Sequence, residues 1–220
     1  MRIPRLTAVI AATLLLAACG GSPLEGKTAE EIVTAAADVL EDAGSVHVSG
    51  AIDQDGQEGE VDLHLQGEDA TGTISLGGAE VELLSVDGTS YLKASPEFWA
   101  SFGMPEGMTT LFEDQWIVLP GEAAGQFGDF TLAGIVEELR NPESPLGDEV
   151  RTDELDGEDV VVVEQEDGST LTVADDEKPY PLRMTGDDTP DGITFSRFGE
   201  TEDITVPDDA LDLEDMMGGA

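Results

Sequence analysis

The clearest pattern of apolar and polar positions lies just after residue 28. Ile32, Ala36, Val39, Leu40 and Ala43 recur at helical spacing, with acidic and polar residues between them, which is the stripe of an amphipathic helix. Thr28 followed by Glu31 makes a capping box, in which each side chain accepts a hydrogen bond from the other residue's backbone N–H. Gly44 closes the run. The spacing predicts a helix over 29–43.

Past Gly44 the period falls to two. Val46, Val48 and Ile52 alternate with polar residues, and so do Val61, Leu63 and Leu65, as half-buried strands require. Asp55-Gly56 lies between the two sets and favours a two-residue hairpin turn. A turn at that place puts Val46 opposite Leu65 and Val48 opposite Leu63 on one face, with His47 opposite His64 and Ser49 opposite Asp62 on the other. Further strands are predicted near 70–77, 80–87 and 89–94, separated by Gly77-Gly78 and Asp87-Gly88. Ser95-Pro96 opens a short helix through Trp99 and Phe102, since proline suits a first helical turn. Trp116 to Leu119 reads as a strand, and Thr131 to Arg140 as a second long helix stopped by Asn141-Pro142. Strands return near 149–155, 159–165, 170–174, 180–185 and 193–198. The acidic segment 208–220 is expected to fray. The sum is an α+β fold, read as a single domain over 28–207.

The first residues follow neither period. Arg2 and Arg5 precede an almost wholly apolar or small run from Leu6 to Ala18, which ends in Leu16-Ala17-Ala18-Cys19. That run is shorter than the roughly 20 residues needed to cross a bilayer, and it has the parts of an export signal. Leu-Ala-Ala-Cys resembles the bacterial lipobox, which implies cleavage after residue 18, diacylglycerol on Cys19 and a lipidated tether over 19–27. More than one acyl chain is what stable anchoring needs. The expectation is an extracytoplasmic protein held at a cell membrane by lipid.

Composition narrows the chemistry. Cys19 is the only cysteine, so a disulfide, a zinc–thiolate site and a cysteine nucleophile are all excluded. There are 9 Lys and Arg against 49 Asp and Glu, a net charge of −40, and loss of Arg2 and Arg5 with the leader takes it to −42. Such a surface does not meet phosphates, which excludes nucleic acid as a partner. No Gly-x-Ser-x-Gly elbow, P-loop or His-Glu-x-x-His occurs, and no pair of carboxylates stands out. The chain reads as non-catalytic and without a cofactor.

Four stretches carry a likeness to known proteins: Ala43-Gly44-Ser45-Val46-His47-Val48-Ser49-Gly50, Gln115-Trp116-Ile117-Val118-Leu119-Pro120, Tyr180-Pro181-Leu182-Arg183-Met184, and Ile193 to Gly199. With their order of helix, meander, aromatic insert and returning strands, the chain resembles the actinobacterial LppX/LprA/LprF/LprG lipoproteins. More distantly it is similar to the LolA/LolB lipoprotein carriers. The resemblance implies a strongly curved antiparallel sheet, a half-barrel, with helices over its concave face and a cavity for acyl chains or glycolipids carried between membrane layers. The charge departs from that pattern.

On this reading the cavity candidates are Val46, Val48, Val61, Leu63, Leu65, Ile74, Val81 and Leu83, with Phe98, Trp99 and Phe102 near its mouth. Of 11 aromatic residues, seven fall between Phe98 and Phe130, with Met104 and Met108 among them. These side chains suit an adaptable lip around an apolar ligand, or they plug the open side of the sheet. The rival function is a surface adaptor or spacer with a filled core, acting through protein contacts. His47 and His64 read as an exposed cross-strand pair rather than a metal site. Asp187 to Gly192 resembles the start of a calcium loop, but Phe198 stands where that loop needs a glutamate, so it reads as a turn.

Overall fold

The computed structural model describes residues 22–54, 57–76, 78–101, 103–125, 130–186, 189 and 191–213. Cys19, Phe102, Asp187, Asp188 and the Asp55-Gly56 turn lie outside them.

The first helix, α1, runs Ala29–Ala43 and is built as its sequence predicts. The Thr28 hydroxyl accepts from Glu31 N–H at 3.3 Å, and Glu31 Oε2 accepts from Thr28 N–H at 2.9 Å. Gly44 takes the left-handed conformation at φ 74°, which glycine enters without a Cβ penalty. The buried stripe is Ala29, Ile32, Val33, Ala36, Ala37 and Leu40, while Val39 and Ala43 are only half-buried. The backbone bond from Thr28 holds the Glu31 carboxyl below the usual carboxylate range. The cap's stabilisation is therefore present above the unfolded glutamate value, near ~4.3, and is lost as pH falls through the lower folded value. Thr28→Ala is expected to cost about 1 kcal/mol, read as a shift in the urea midpoint.

The chain continues as β1 (Ser45–Gln54), β2 (Gln57–Gln66), β3 (Asp69–Leu76), β4 (Ala79–Val86) and β5 (Thr89–Ala94). Three short helices, α2 (Pro96–Ser101), α3 (Glu106–Thr109) and α4 (Gly121–Ala124), surround β6 (Ile117–Val118). Next come α5 (Leu132–Arg140), β7 (Leu146–Leu155), β8 (Glu158–Gln165), β9 (Thr170–Ala174), β10 (Pro181–Thr185), β11 (Ile193–Ser196) and β12 (Leu211–Asp212). Together they form a mixed α+β fold around one 12-stranded sheet, in the order β12-β6-β5-β4-β3-β2-β1-β11-β10-β9-β8-β7. Every neighbouring pair is antiparallel except β12 with β6.

The hairpin register is the one its turn demands: Val46 pairs with Leu65, His47 with His64 and Val48 with Leu63. The pairing continues sideways, so that Phe195, Val48, Leu63, Gly72, Leu83, Leu92 and Ile117 form one inward row across seven strands. Gly72 interrupts the row of large side chains because its φ is 147° and a Cβ there would meet Asp62 O at 2.0 Å. This row, the stripe of α1, and Leu132, Val136 and Leu139 of α5 share one hydrophobic core.

Two expectations are corrected. Residues 208–213 do not fray. Leu211 N–H donates to Trp116 O at 2.8 Å, Leu211 and Asp212 pair with β6, and Leu213 is buried. The segment before it straps the outer face: Gly199 N–H donates to Ser45 O and Glu202 N–H to Gln66 Oε1, while Ile204 and Ala210 pack on Leu84, Val86 and Tyr91. Apolar contacts and backbone bonds outweigh the acidic composition of this stretch. The tether over 19–27 is likewise docked from its fourth residue. Ser22 O accepts from Glu25 N–H, Leu24 is buried in the core, and Leu24 N–H donates to Asp175 Oδ1 at 3.1 Å.

Candidate functional site: a groove beside the N-terminus

The structure places the candidate lining residues deep in the core. Val46, Val48, Val61, Leu63, Leu65, Ile74, Val81, Leu83 and Trp99 are each 5% exposed or less, and Phe98 is half-buried. They are brought together, but none of them lines any of the five hollows considered below. The aromatic insert is packed too. Trp99 sits edge-on between Phe98 at 5.3 Å and Phe112 at 5.4 Å, with Phe112 fully buried.

The substantial hollow lies elsewhere between sheet and helices. A groove of about 1160 Å³ runs between residues 22–34 and residues 140–152. Its apolar side chains are Leu24, Ala29 and Val33 on one side and Leu146, Val150 and Val161 on the other. Glu25, Lys27, Glu30, Arg140 and Asp148 add charge of both signs. Arg140 is held by Asp38 at 2.8 Å and Glu41 at 2.6 Å on α1, and these bonds push its pKa up further. That pairing ties α5 to α1 and so fixes one end of the groove.

Val33, Pro142 and Leu146 also line a narrow neck of about 10 Å³, together with Leu139, Val163, Leu171 and Met184. That is at the lower limit for holding a single water. Beyond the neck, Glu138, Gln165 and Met184 are shared with a third hollow of about 280 Å³ that reaches Ile52 and Ile193. The small hollow thus shares wall residues with each of the two larger ones, which share none with each other. Two further hollows, of about 460 Å³ near Lys93 and about 340 Å³ near Arg183, are lined by a mixture of charged, polar and apolar side chains.

The histidine pair is not exposed. His64 is 3% exposed and neither ring nitrogen has a partner, while His47 is hydrogen-bonded to Asp62 Oδ1 at 3.0 Å and Ser196 Oγ at 3.3 Å. Among the described residues no cluster of His, Cys, Asp and Glu is arranged to hold a metal ion. Asp187 and Asp188, in the calcium-like stretch, fall outside those residues. No helix among the described residues is long and apolar enough to cross a membrane.

The groove draws on α1, the chain before it, the α5–β7 connection and β8, segments far apart in sequence. Ala29 and Val33 line it from the buried face of α1, though neither is among the residues whose spacing predicts that helix. The chain matches no protein-family model, and no curated protein matches it in sequence.

Proposed function

We propose that this chain is a non-catalytic extracytoplasmic lipoprotein, anchored to the cell membrane through lipid on Cys19, that binds a lipid or similar hydrophobic molecule between sheet and helices. The observation that carries this reading is the groove of about 1160 Å³ between residues 22–34 and 140–152. The groove is larger than the roughly 300–1,000 Å³ of an enclosed small-molecule pocket and is open to solvent, so it can take an extended ligand. Its apolar side chains, Leu24, Ala29, Val33, Leu146, Val150 and Val161, suit acyl chains, each methylene of which gains ~0.8 kcal/mol on burial. The charged side chains leave a headgroup in water. The packing of α1 against β1, β10 and β7 alike supports a sheet curved into a half-barrel around it, as in the LppX/LprG-type lipoproteins that the sequence resembles.

The filled core under β1–β5 favours a second reading, an adaptor or spacer that acts through protein contacts. One titration separates them. The chain carrying Cys19→Ser is expected to bind a fluorescent fatty acid with saturation at one site. Leu146→Asp, at a half-buried groove position, should weaken it at least tenfold without lowering the thermal midpoint by more than a few degrees. No binding by either chain would favour the adaptor.

A further inference from the structure

A sheet ends on strands whose outward N–H and C=O groups have no neighbour, and an extended chain that reaches them can pair there. At one end of this sheet stands β12, with 2 residues. At the other stands β7, with 10. The direction of its main chain follows from the strands behind it. Asp159 O accepts from Asp175 N–H at 3.0 Å, so the Asp159 main chain points away from β7. Its partner on β7 is Glu154, and in an antiparallel ladder the two members of such a pair both turn their N–H and C=O outward. The direction alternates along the strand, so Val150, Thr152 and Glu154 face the open side. Asp153 Oδ1 accepts from the Glu154 N–H at 2.8 Å. The outward groups of Val150 and Thr152 have no hydrogen-bond partner among the described residues.

The side chains beside this edge define what it accepts. Val150 and Thr152 line the groove, with Leu24 and Val33 across from them, so a strand laid on β7 turns alternate residues toward apolar walls. Asp148, Glu149, Asp153 and Glu154 are exposed on β7, and its one cation, Arg151, is held by Glu164 at 3.0 Å. A second copy of the chain fits badly. Pairing β7 with β7 sets carboxylates against carboxylates, on molecules that each carry −40. We propose that β7 is the docking edge for an extended, basic segment of a partner protein, in which Lys or Arg alternates with apolar residues. The segment adds a strand to the sheet. Its main chain bonds to Val150 and Thr152, its apolar side chains enter the groove, and its cations meet the β7 carboxylates. The net charge of the protein steers such a segment toward it. The inference goes beyond lipid binding and does not depend on it.

The probe is a fluorescent, end-capped peptide that alternates lysine with valine, titrated into the chain carrying Cys19→Ser. Saturable one-to-one binding is expected, with the Val150 and Thr152 amides protected from hydrogen exchange. In ~1 M salt, where the Debye length is about 3 Å, the affinity should fall at least tenfold. The same peptide N-methylated throughout keeps its charge and loses its donors, and it is expected to bind at least tenfold more weakly. Thr152→Pro removes one outward N–H, a change that an edge strand tolerates, and should weaken binding of the unmethylated peptide as far. The methylated peptide reads the same contact on an unaltered edge, so the proposal is decided even if Thr152→Pro does not fold. Equal binding of the two peptides, or protection on another strand, means adsorption to an acidic surface and overturns the proposal. Absence of binding overturns it as well. Self-association of the chain through β7 overturns the choice of occupant.

Discussion

Cys19→Ser is expected to move the protein from the membrane fraction into solution without residue. No helix among the described residues is long and apolar enough to span a bilayer. A net charge of −40 opposes adsorption to anionic lipid, which draws polybasic segments instead. On the proposed reading acyl chains hold the chain at the surface, and two of them give an attachment that one chain does not. Fractionation followed by mass spectrometry of the N-terminal peptide checks both location and lipid. Retention of the serine variant in carbonate-washed membranes would contradict the anchor.

Phe112→Ala is expected to be the most destabilising single truncation of the aromatic insert, by about 3–5 kcal/mol. Phe112 is fully buried, shares the main core with Leu83, Leu92 and Ile117, and meets Trp99 edge to face at 5.4 Å. It thus joins the α2–α3 insert to the inner face of the sheet, and its removal leaves a cavity that neighbouring strands cannot collapse to fill. A domain holds only ~5–15 kcal/mol in total, so the variant should unfold at a far lower urea concentration. Trp99→Phe is expected to cost much less. It keeps an aromatic ring between Phe98 and Phe112 and deletes an indole N–H that is buried without a partner, a group whose burial is itself unfavourable.

Much of the fold is written in local patterns. The Thr28–Glu31 cap and Gly44 delimit α1, and Asp55-Gly56 determines the β1–β2 register because a shift by one residue would turn Val46, Val48, Leu63 and Leu65 to the wrong face. The short helices α3 and α4 have too few residues for a period to show. β12 was hidden by composition: Asp208, Asp209 and Asp212 read as solvated tail, while the partners that order the segment, Trp116 and Ile117, lie far away in sequence. The groove is the hardest feature to read. Alternating apolar residues on the inner face of β1–β4 look the same whether they line a void or fill a core, and here they fill it. The void forms instead where Val33, Pro142, Leu146 and Val150 converge from separate elements, a coincidence of tertiary packing that no single stretch encodes.

The location of bound lipid tests the central claim most directly. A photoreactive fatty acid is bound to the Cys19→Ser chain, cross-linked by light and mapped by peptide mass spectrometry. The account predicts adducts on the peptides that carry Val33 and Leu146–Val150. Adducts confined to β2–β5 or to the aromatic insert, or no adduct at saturating probe, would contradict it.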